Sequence, residues 1–277
     1  MIEIKNTYKL KCHAKYLFQP NNVLELKETI NNLDNNNIKW YLLGDGSNII
    51  LPSEDFDGAI INLNNLNEYY LDDEYVFVYA GINLNCFINN MIDENIINFS
   101  ELYGIPGTLG GALYGNAGAN KKEIYDDLVS VLVYDGEVKL INKEDIQYSY
   151  RNTMFKNTKT IILGGVFRIV KGDQFKAKEI IKENMLSRKI KQPLEFPNAG
   201  SVFKNPENLS AGKLIDECNL KGLKVGGAMV SEKHANFIIN FDNATSSDII
   251  SLIEIIKKTV KEKKNIDLNL EQIVVKW

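Results

Sequence analysis

Apolar residues recur at helical spacing near the start of the chain, where Val23, Leu26, Ile30 and Leu33 predict a first helix over residues 20–35. The period then shortens. Extended segments are predicted at 40–43, 59–63 and 75–80, followed by a helix over 84–94. Two runs, 128–134 and 137–141, flank Asp135-Gly136, a pair suited to the positive φ of a tight turn, and predict a β-hairpin. A last long strand, 160–170, leads into Lys171-Gly172-Asp173. Beyond it the texture becomes helical: 175–191 reads as an amphipathic helix, 211–218 as a short one entered through Ser210, and 247–264 as a long one entered through Thr245-Ser246-Ser247. Short strands are predicted at 202–203, 227–230, 236–240 and 273–275.

Helices with clear ends mixed with short strands give the part beyond residue 171 an α+β texture. At 277 residues the chain exceeds what one hydrophobic core usually organises. Two domains are expected: residues 1–170, built of two subdomains at about 1–64 and 65–170, and a smaller α+β domain, 171–277.

One stretch fits neither period. Residues 104–119 read GIPGTLGGALYGNAGA, dense in glycine and nearly without charge, with Ile105, Leu109, Leu113 and Tyr114 to anchor it in a core. Glycine lets a backbone approach a neighbour closely, so the run is suited either to two tightly packed main chains or to amides directed at a flat, phosphate-bearing ligand. A second glycine turn, Gly44-Asp45-Gly46-Ser47-Asn48, follows the extended segment at 40–43. It is neither of two common phosphate loops. No Gly-x-x-x-x-Gly-Lys-Ser/Thr exists, and Ile49 stands where a dinucleotide turn needs its third glycine before a helix, whereas Ile49-Ile50-Leu51-Pro52 reads as extended. A nest of consecutive amides, with the Ser47 and Asn48 side chains, would serve a pyrophosphate instead.

Composition narrows the partners. Hydrophobic residues at 44% and charged residues at 25% suit an ordinary globular protein, and a net charge of −4 offers no basic stripe for nucleic acid. The basic residues of 257–264 are interrupted by Glu262 and read as a solvated helix face. No apolar leader opens the chain and no run of eighteen apolar residues occurs, so a cytoplasmic protein without a membrane span is expected. Cys12, Cys86 and Cys218 match no zinc or redox spacing, and no metal site is expected.

Three polar residues stand out by their settings: Arg151 after Tyr148-Ser149-Tyr150, Ser201 within Asn198-Ala199-Gly200-Ser201-Val202-Phe203, and Glu271 within Leu268-Asn269-Leu270-Glu271-Gln272-Ile273. Each alone admits a bland role as surface ion pair, turn residue or solvated acid. Ser201 lacks a Gly-x-Ser-x-Gly elbow, and neither His13 nor His234 is spaced as a hydrolase base. Taken in order, however, Leu43-Gly44-Asp45-Gly46-Ser47-Asn48, Gly104-Ile105-Pro106-Gly107-Thr108-Leu109-Gly110-Gly111-Ala112, Asn116-Ala117-Gly118-Ala119, Tyr150-Arg151, Ala199-Gly200-Ser201-Val202-Phe203-Lys204-Asn205-Pro206 and Ala211-Gly212-Lys213-Leu214-Ile215 resemble the UDP-N-acetylenolpyruvoylglucosamine reductase (MurB) family, FAD enzymes of peptidoglycan precursor synthesis. The resemblance runs from about Asn6 to Val275.

That resemblance implies an FAD-binding domain of the vanillyl-alcohol-oxidase/PCMH type, followed by a substrate-binding domain. It implies FAD contacts from Gly44, Asp45, Gly46, Ser47 and Asn48, from Pro106, Gly107, Thr108, Gly110 and Gly111, and from Asn116, Ala117 and Gly118. NADPH would reduce the flavin, whose N5 would pass hydride to the enolpyruvyl ether of UDP-N-acetylglucosamine. Arg151 and Glu271 would stabilise the enolic intermediate, and Ser201 would deliver the proton. Tyr150, Lys191, Asn205 and His234 would contact substrate. The spacing from Arg151 to Ser201 resembles the shorter subclass, which lacks an inserted tyrosine loop. A monomer acting on small molecules is expected. Departures from the family pattern include Lys11-Cys12 for two glycines, Gly115 for methionine, Thr153 for serine and Gln272 for valine. A flavin oxidase of a small alcohol and a non-catalytic flavin- or nucleotide-sugar-binding module remain alternatives; the first gives Ser201 and Glu271 no task.

Overall fold

The computed structural model describes residues 1–277, which divide into two compact units. One comprises Tyr16–Asp45 and Gly58–Leu186, the other Met1–Lys15, Gly46–Asp57 and Ser187–Trp277. The expected border at 170/171 falls inside the former unit, which continues to Leu186. Two early segments belong with the C-terminal part of the chain, an arrangement that hydrophobic period alone does not reveal.

The Tyr16–Asp45 and Gly58–Leu186 unit carries a five-stranded antiparallel sheet in the order Val138–Asn142, Leu128–Tyr134, Ile161–Arg168, Tyr75–Tyr79, Tyr69–Leu71. The predicted hairpin at Asp135-Gly136 forms with Tyr134 opposite Val138. Helix α1, Val23–Asn35, is capped by the Asn22 side chain and buries Leu26, Ile30 and Leu33. Helix α2, Leu84–Asp93, is capped by Asn83 and packs Phe87 edge-on to Phe99, with ring centres 5.1 Å apart. Trp40–Leu42 pairs in parallel with the later part of Phe56–Ile61, Trp40 opposite Ala59.

The glycine run is not wholly a loop. It contains helix α3, Leu109–Gly115, a sequence of low helix propensity that succeeds because Leu109, Ala112 and Leu113 are buried and Thr108 caps it. Its first amides are also held from outside: Leu109 N–H donates to Ile82 O at 3.0 Å and Gly110 N–H to Ala80 O at 2.8 Å. Asn116 ends it in the left-handed region, φ +47°. Helix α4, Gln174–Lys191, fully buries only Ala177, with Ile181 partly buried against the same core, so the predicted apolar face is a narrow core face.

In the other unit, Lys224–Val225, Ala228–Val230 and Ile238–Asn240 form an antiparallel sheet. Helices α5, Ala211–Glu217, and α6, Ser246–Lys264, cover a core that includes Tyr8, Ile50, Phe203, Ile215 and Ile253. Thr245 and Asp248 form a reciprocal capping box at the start of α6. Ile273–Val274 pairs in parallel with Ile49–Ile50, which ties the segment after the first glycine turn to the far end of the chain. The strand expected at 202–203 reduces to a single antiparallel bridge between Phe203 and Leu270. No helix is long and apolar enough to cross a membrane.

Candidate active site

Tyr150-Arg151 forms the two-residue turn of a small hairpin, with Ser149 opposite Asn152 and Tyr148 opposite Thr153. Arg151 has φ +54°. For a long side chain that region costs about 1–2 kcal/mol, so the surroundings must hold it there. They do so at every point of the residue. Arg151 Nη1 donates to Asn116 O at 3.1 Å and lies 3.5 Å from Glu123 Oε1, and Nη2 donates to Gly118 O. Lys156 Nζ donates to Arg151 O at 2.8 Å, and the guanidinium lies 5.0 Å above the Tyr150 ring centre. Thr153 Oγ1 donates to Tyr114 O at 2.8 Å, docking the hairpin on α3.

The same cluster explains the end of the glycine run. A Cβ on Gly118 would stand 2.6 Å from Lys122 O and 3.0 Å from Arg151 Nη1, so only glycine allows the guanidinium this close. Asn116 is fully buried; its Nδ2 donates to Glu123 Oε2 at 2.7 Å and to Ser149 O at 3.1 Å, and its Oδ1 is buried with no protein donor. Several amides of the run are already engaged. Gly104 N–H donates to Asn85 Oδ1, Gly110 N–H to Ala80 O and Gly111 N–H to Thr108 Oγ1. Pro106, Gly107 and Thr108 lie between these, and Gly107 O accepts from Leu84 N–H at 3.0 Å. Ala117 is tied at both ends, donating to Ala112 O and accepting from Ile124 N–H.

In the first glycine turn, the carbonyls of Gly44, Gly46 and Asn48 are engaged. Gly44 O accepts from Asn62 Nδ2, and Asp45 Oδ1 from Asn64 Nδ2 at 3.2 Å. The chain passes from one unit to the other after Asp45. Gly46 O accepts from Thr7 through both its N–H and its hydroxyl, and Asn48 O from Ile273 N–H at 3.0 Å.

Ser201 and Glu271 are brought together on paired segments of one unit. Glu271 N–H donates to Val202 O at 2.9 Å, Lys204 N–H to Asn269 O at 2.9 Å, and Asn48 Nδ2 to Glu271 O at 3.3 Å. Both side chains are half-buried. Asn236 fixes the next stretch: its O accepts from Val202 N–H, its Oδ1 accepts from Phe203 N–H, and its Nδ2 donates to Phe203 O.

The remaining expected residues occupy the same unit. Asn205 Oδ1 accepts from Ala211 N–H at the entry to α5, and Lys191 is the exposed last residue of α4. His234 Nδ1 accepts from Asn236 N–H at 3.2 Å, which leaves the ring proton on Nε2. Burial holds its pKa below the usual histidine value, favouring the neutral ring. Two residues were missed. Arg188, near the end of α4, has its pKa lowered by burial with no opposing charge, and one turn later Gln192 Oε1 is buried without a donor. A desolvated guanidinium suits an anionic group, whereas an amide oxygen without a donor calls for a hydrogen-bond donor. Their spacing of four was the available signal, but only burial distinguishes them from other polar residues of this helix.

The family model described as UDP-N-acetylenolpyruvoylglucosamine reductase, C-terminal domain, matches residues 192–275, and an FAD binding domain model matches residues 14–142. A UDP-N-acetylenolpyruvoylglucosamine reductase of Clostridium novyi is 38% identical over 99% of this chain and 92% of its own length. The one from Carboxydothermus hydrogenoformans is 40% identical over 96% of this chain and 89% of its own. The crystal structure of the Thermus caldophilus enzyme of that name superposes with a TM-score of 0.83 at 29% identity, covering 98% of this chain and 96% of that one.

Proposed function

Because the chain belongs to the UDP-N-acetylenolpyruvoylglucosamine reductase family of FAD-dependent oxidoreductases, we propose that it reduces UDP-N-acetylglucosamine enolpyruvate to UDP-N-acetylmuramate at the expense of NADPH. The observation that carries the reading is the direct pairing of the segments bearing Ser201 and Glu271, which sets a hydroxyl and a carboxyl on neighbouring main chains.

The residues present fit FAD. Asn64 Oδ1 and Asn116 Oδ1 are buried acceptors without protein donors, suited to donors on the cofactor, and the carbonyls of Gly44, Gly46 and Asn48 are taken up internally, which fixes the turn in place. The cofactor would be held by Gly44 to Asn48, by Pro106 to Gly111 and by Asn116 to Gly118. When bound, it supplies the hydride chemistry that no side chain can. The protein's own work is then polar. Arg151 offers a planar fork to the carboxylate beside the developing carbanion, and one such preorganised donor is worth about 10² to 10³ in rate. Glu271 holds a proton on the enolic form, and Ser201 gives the proton to the carbon that hydride leaves electron-rich. Positioned proton transfer contributes about 10² to 10⁴. Lys191, Asn205, His234 and Tyr150 serve the sugar nucleotide, His234 as a neutral Nε2–H donor. The enzyme acts in the cytoplasm as a monomer.

The test is spectroscopic. The purified protein should be yellow, NADPH should bleach it without oxygen, and the enolpyruvyl sugar should restore the oxidised spectrum. Ser201→Ala should still bleach yet fail to recover; recovery within a few-fold of the parent rate would remove Ser201 as proton donor. Rapid turnover with oxygen and a simple alcohol would replace the reading by an oxidase.

A further inference from the structure

The segment carrying Ser201 is held by a side chain some seventy residues away in sequence. Gln272 is 3% exposed and follows Glu271 directly. Its Nε2 donates to Ala199 O at 3.0 Å and to Gly200 O at 3.1 Å, the two carbonyls immediately before Ser201. Its Oε1 accepts from the hydroxyl of Tyr8, fully buried, at 3.0 Å. Tyr8 is itself anchored, its O accepting from Asn240 Nδ2 at 2.8 Å. The amide therefore has both hydrogens and its oxygen engaged, a fully satisfied buried network and a neutral one.

The consequence is geometric. Glu271 and Gln272 grip Ser201 from both sides: the Gln272 side chain holds the carbonyls of 199 and 200, and the Glu271 main-chain N–H holds the carbonyl of 202. Gly200 has φ +77°, a conformation that bends the chain into Ser201 and that the clamp keeps in one place. Because one dipeptide supplies both the carboxyl and the clamp, the hydroxyl cannot move along the chain without pulling against the segment that carries Glu271.

We propose that Gln272, with Tyr8 behind it, is a positioning residue that fixes the Ser201 hydroxyl relative to the Glu271 carboxyl. The inference rests on the reading of Ser201 as proton donor. Misplacement by a fraction of an ångström is enough to slow a positioned proton transfer. Tyr8→Phe removes one hydroxyl and keeps the ring in the core; Gln272→Met keeps the length of the side chain and removes three hydrogen bonds.

Stopped-flow absorbance of the flavin-loaded protein separates reduction by NADPH from reoxidation by the enolpyruvyl sugar. Tyr8→Phe is expected to slow reoxidation about 3- to 10-fold and Gln272→Met about 30-fold or more, with reduction by NADPH within 2-fold of the parent. The solvent deuterium isotope effect on reoxidation should rise in both variants. Hydrogen–deuterium exchange should show Val202 and Phe203 amides losing protection in Gln272→Met. Equal slowing of both steps, or unchanged reoxidation in a folded Gln272→Met protein whose Val202 amide stays protected, overturns the proposal. If the parent protein is bleached by NADPH but not reoxidised by the sugar, the functional reading fails instead, and the exchange measurement still decides whether the clamp exists.

Discussion

Replacing Glu123 by glutamine isolates the charge that faces Arg151. The substitution keeps the shape and retains an oxygen for Asn116 Nδ2, now 2.7 Å away, while it removes the negative charge 3.5 Å from Arg151 Nη1. At that separation and an effective dielectric of about 20, the bare attraction is about 5 kcal/mol. Much of it is offset by desolvation, since the two side chains are only 18% and 30% exposed. Exposed pairs are worth under about 1 kcal/mol, and breaking a fully buried pair costs about 3–5. This pair lies between, and the carbonyls of Asn116 and Gly118 still hold the guanidinium, so about 1–2 kcal/mol of positioning is lost. Reoxidation of the reduced flavin by the enolpyruvyl sugar should slow about 5- to 30-fold, with reduction by NADPH unchanged. In an Arg151→Lys background, itself severely slow because a point charge cannot reproduce the fork, Glu123→Gln should cost less than about 2-fold more. An equal cost in both backgrounds, or equal slowing of both flavin steps, refutes a role for the Glu123 charge in orienting Arg151.

Gly118→Ala should destabilise the fold by about 1–3 kcal/mol, because its Cβ would press on main-chain Lys122 O; an unchanged Tm in a thermal melt contradicts this. Thr245→Ala removes half of the capping box of α6 and should cost about 1 kcal/mol, read from chemical denaturation midpoints. With a thiol reagent at about pH 8, one cysteine of the native protein should titrate, the exposed Cys86, and all three after denaturation; Cys218 is buried, and burial of Cys12, helped by Asp55 and Glu54, pushes its thiol up to about 11. His234 has a pKa below its unfolded value of about 6.5, so its contribution to stability is complete above about pH 6.5 and is lost as pH falls through the folded value. A His234→Gln protein should accordingly show a flatter dependence of Tm on pH between about 7.5 and about 5, and parallel curves would exclude the effect.

The sequence pattern carried the regular elements well where burial is one-sided. Leu26, Ile30 and Leu33 do face the core of one unit, and the Asp135-Gly136 turn sits where its dipeptide placed it. Failure came where tertiary contact overrides local preference. Leu109–Gly115 holds three glycines in seven positions, yet it is helical because Ala80 and Ile82 carbonyls capture its opening amides. Residues 175–191 form the expected helix, but its core face is narrow: only Ala177 is fully buried, with Ile181 packed partly buried against the same core. Residues 46–57 join the C-terminal unit through Ile49 opposite Ile273, a pairing across more than two hundred residues that no local window contains.

The candidate site divides along the same line. Arg151, Ser201 and Glu271 were legible as unusual polar residues, but what orients them was not, because the orienting groups are either main chain or distant side chains. Arg151 is gripped by carbonyls of Asn116 and Gly118, and a carbonyl has no letter in a sequence. From the sequence, Gln272 stands out only as a departure from the family pattern, glutamine in place of valine. In the folded protein that departure is the residue whose amide binds the two carbonyls before Ser201 and receives the Tyr8 hydroxyl. A valine in its place could fill space but donate nothing, so both carbonyls and the phenol would have to find other partners. Tyr8 and Gln272 therefore depend on each other. Tyr8→Phe alone strands an amide oxygen, Gln272→Val alone strands a buried hydroxyl and two carbonyls, and in the pair of substitutions the stranded hydroxyl is gone. The double variant should lose less stability than the two single losses summed, a coupling that thermal or denaturant unfolding measures directly and that strict additivity would disprove.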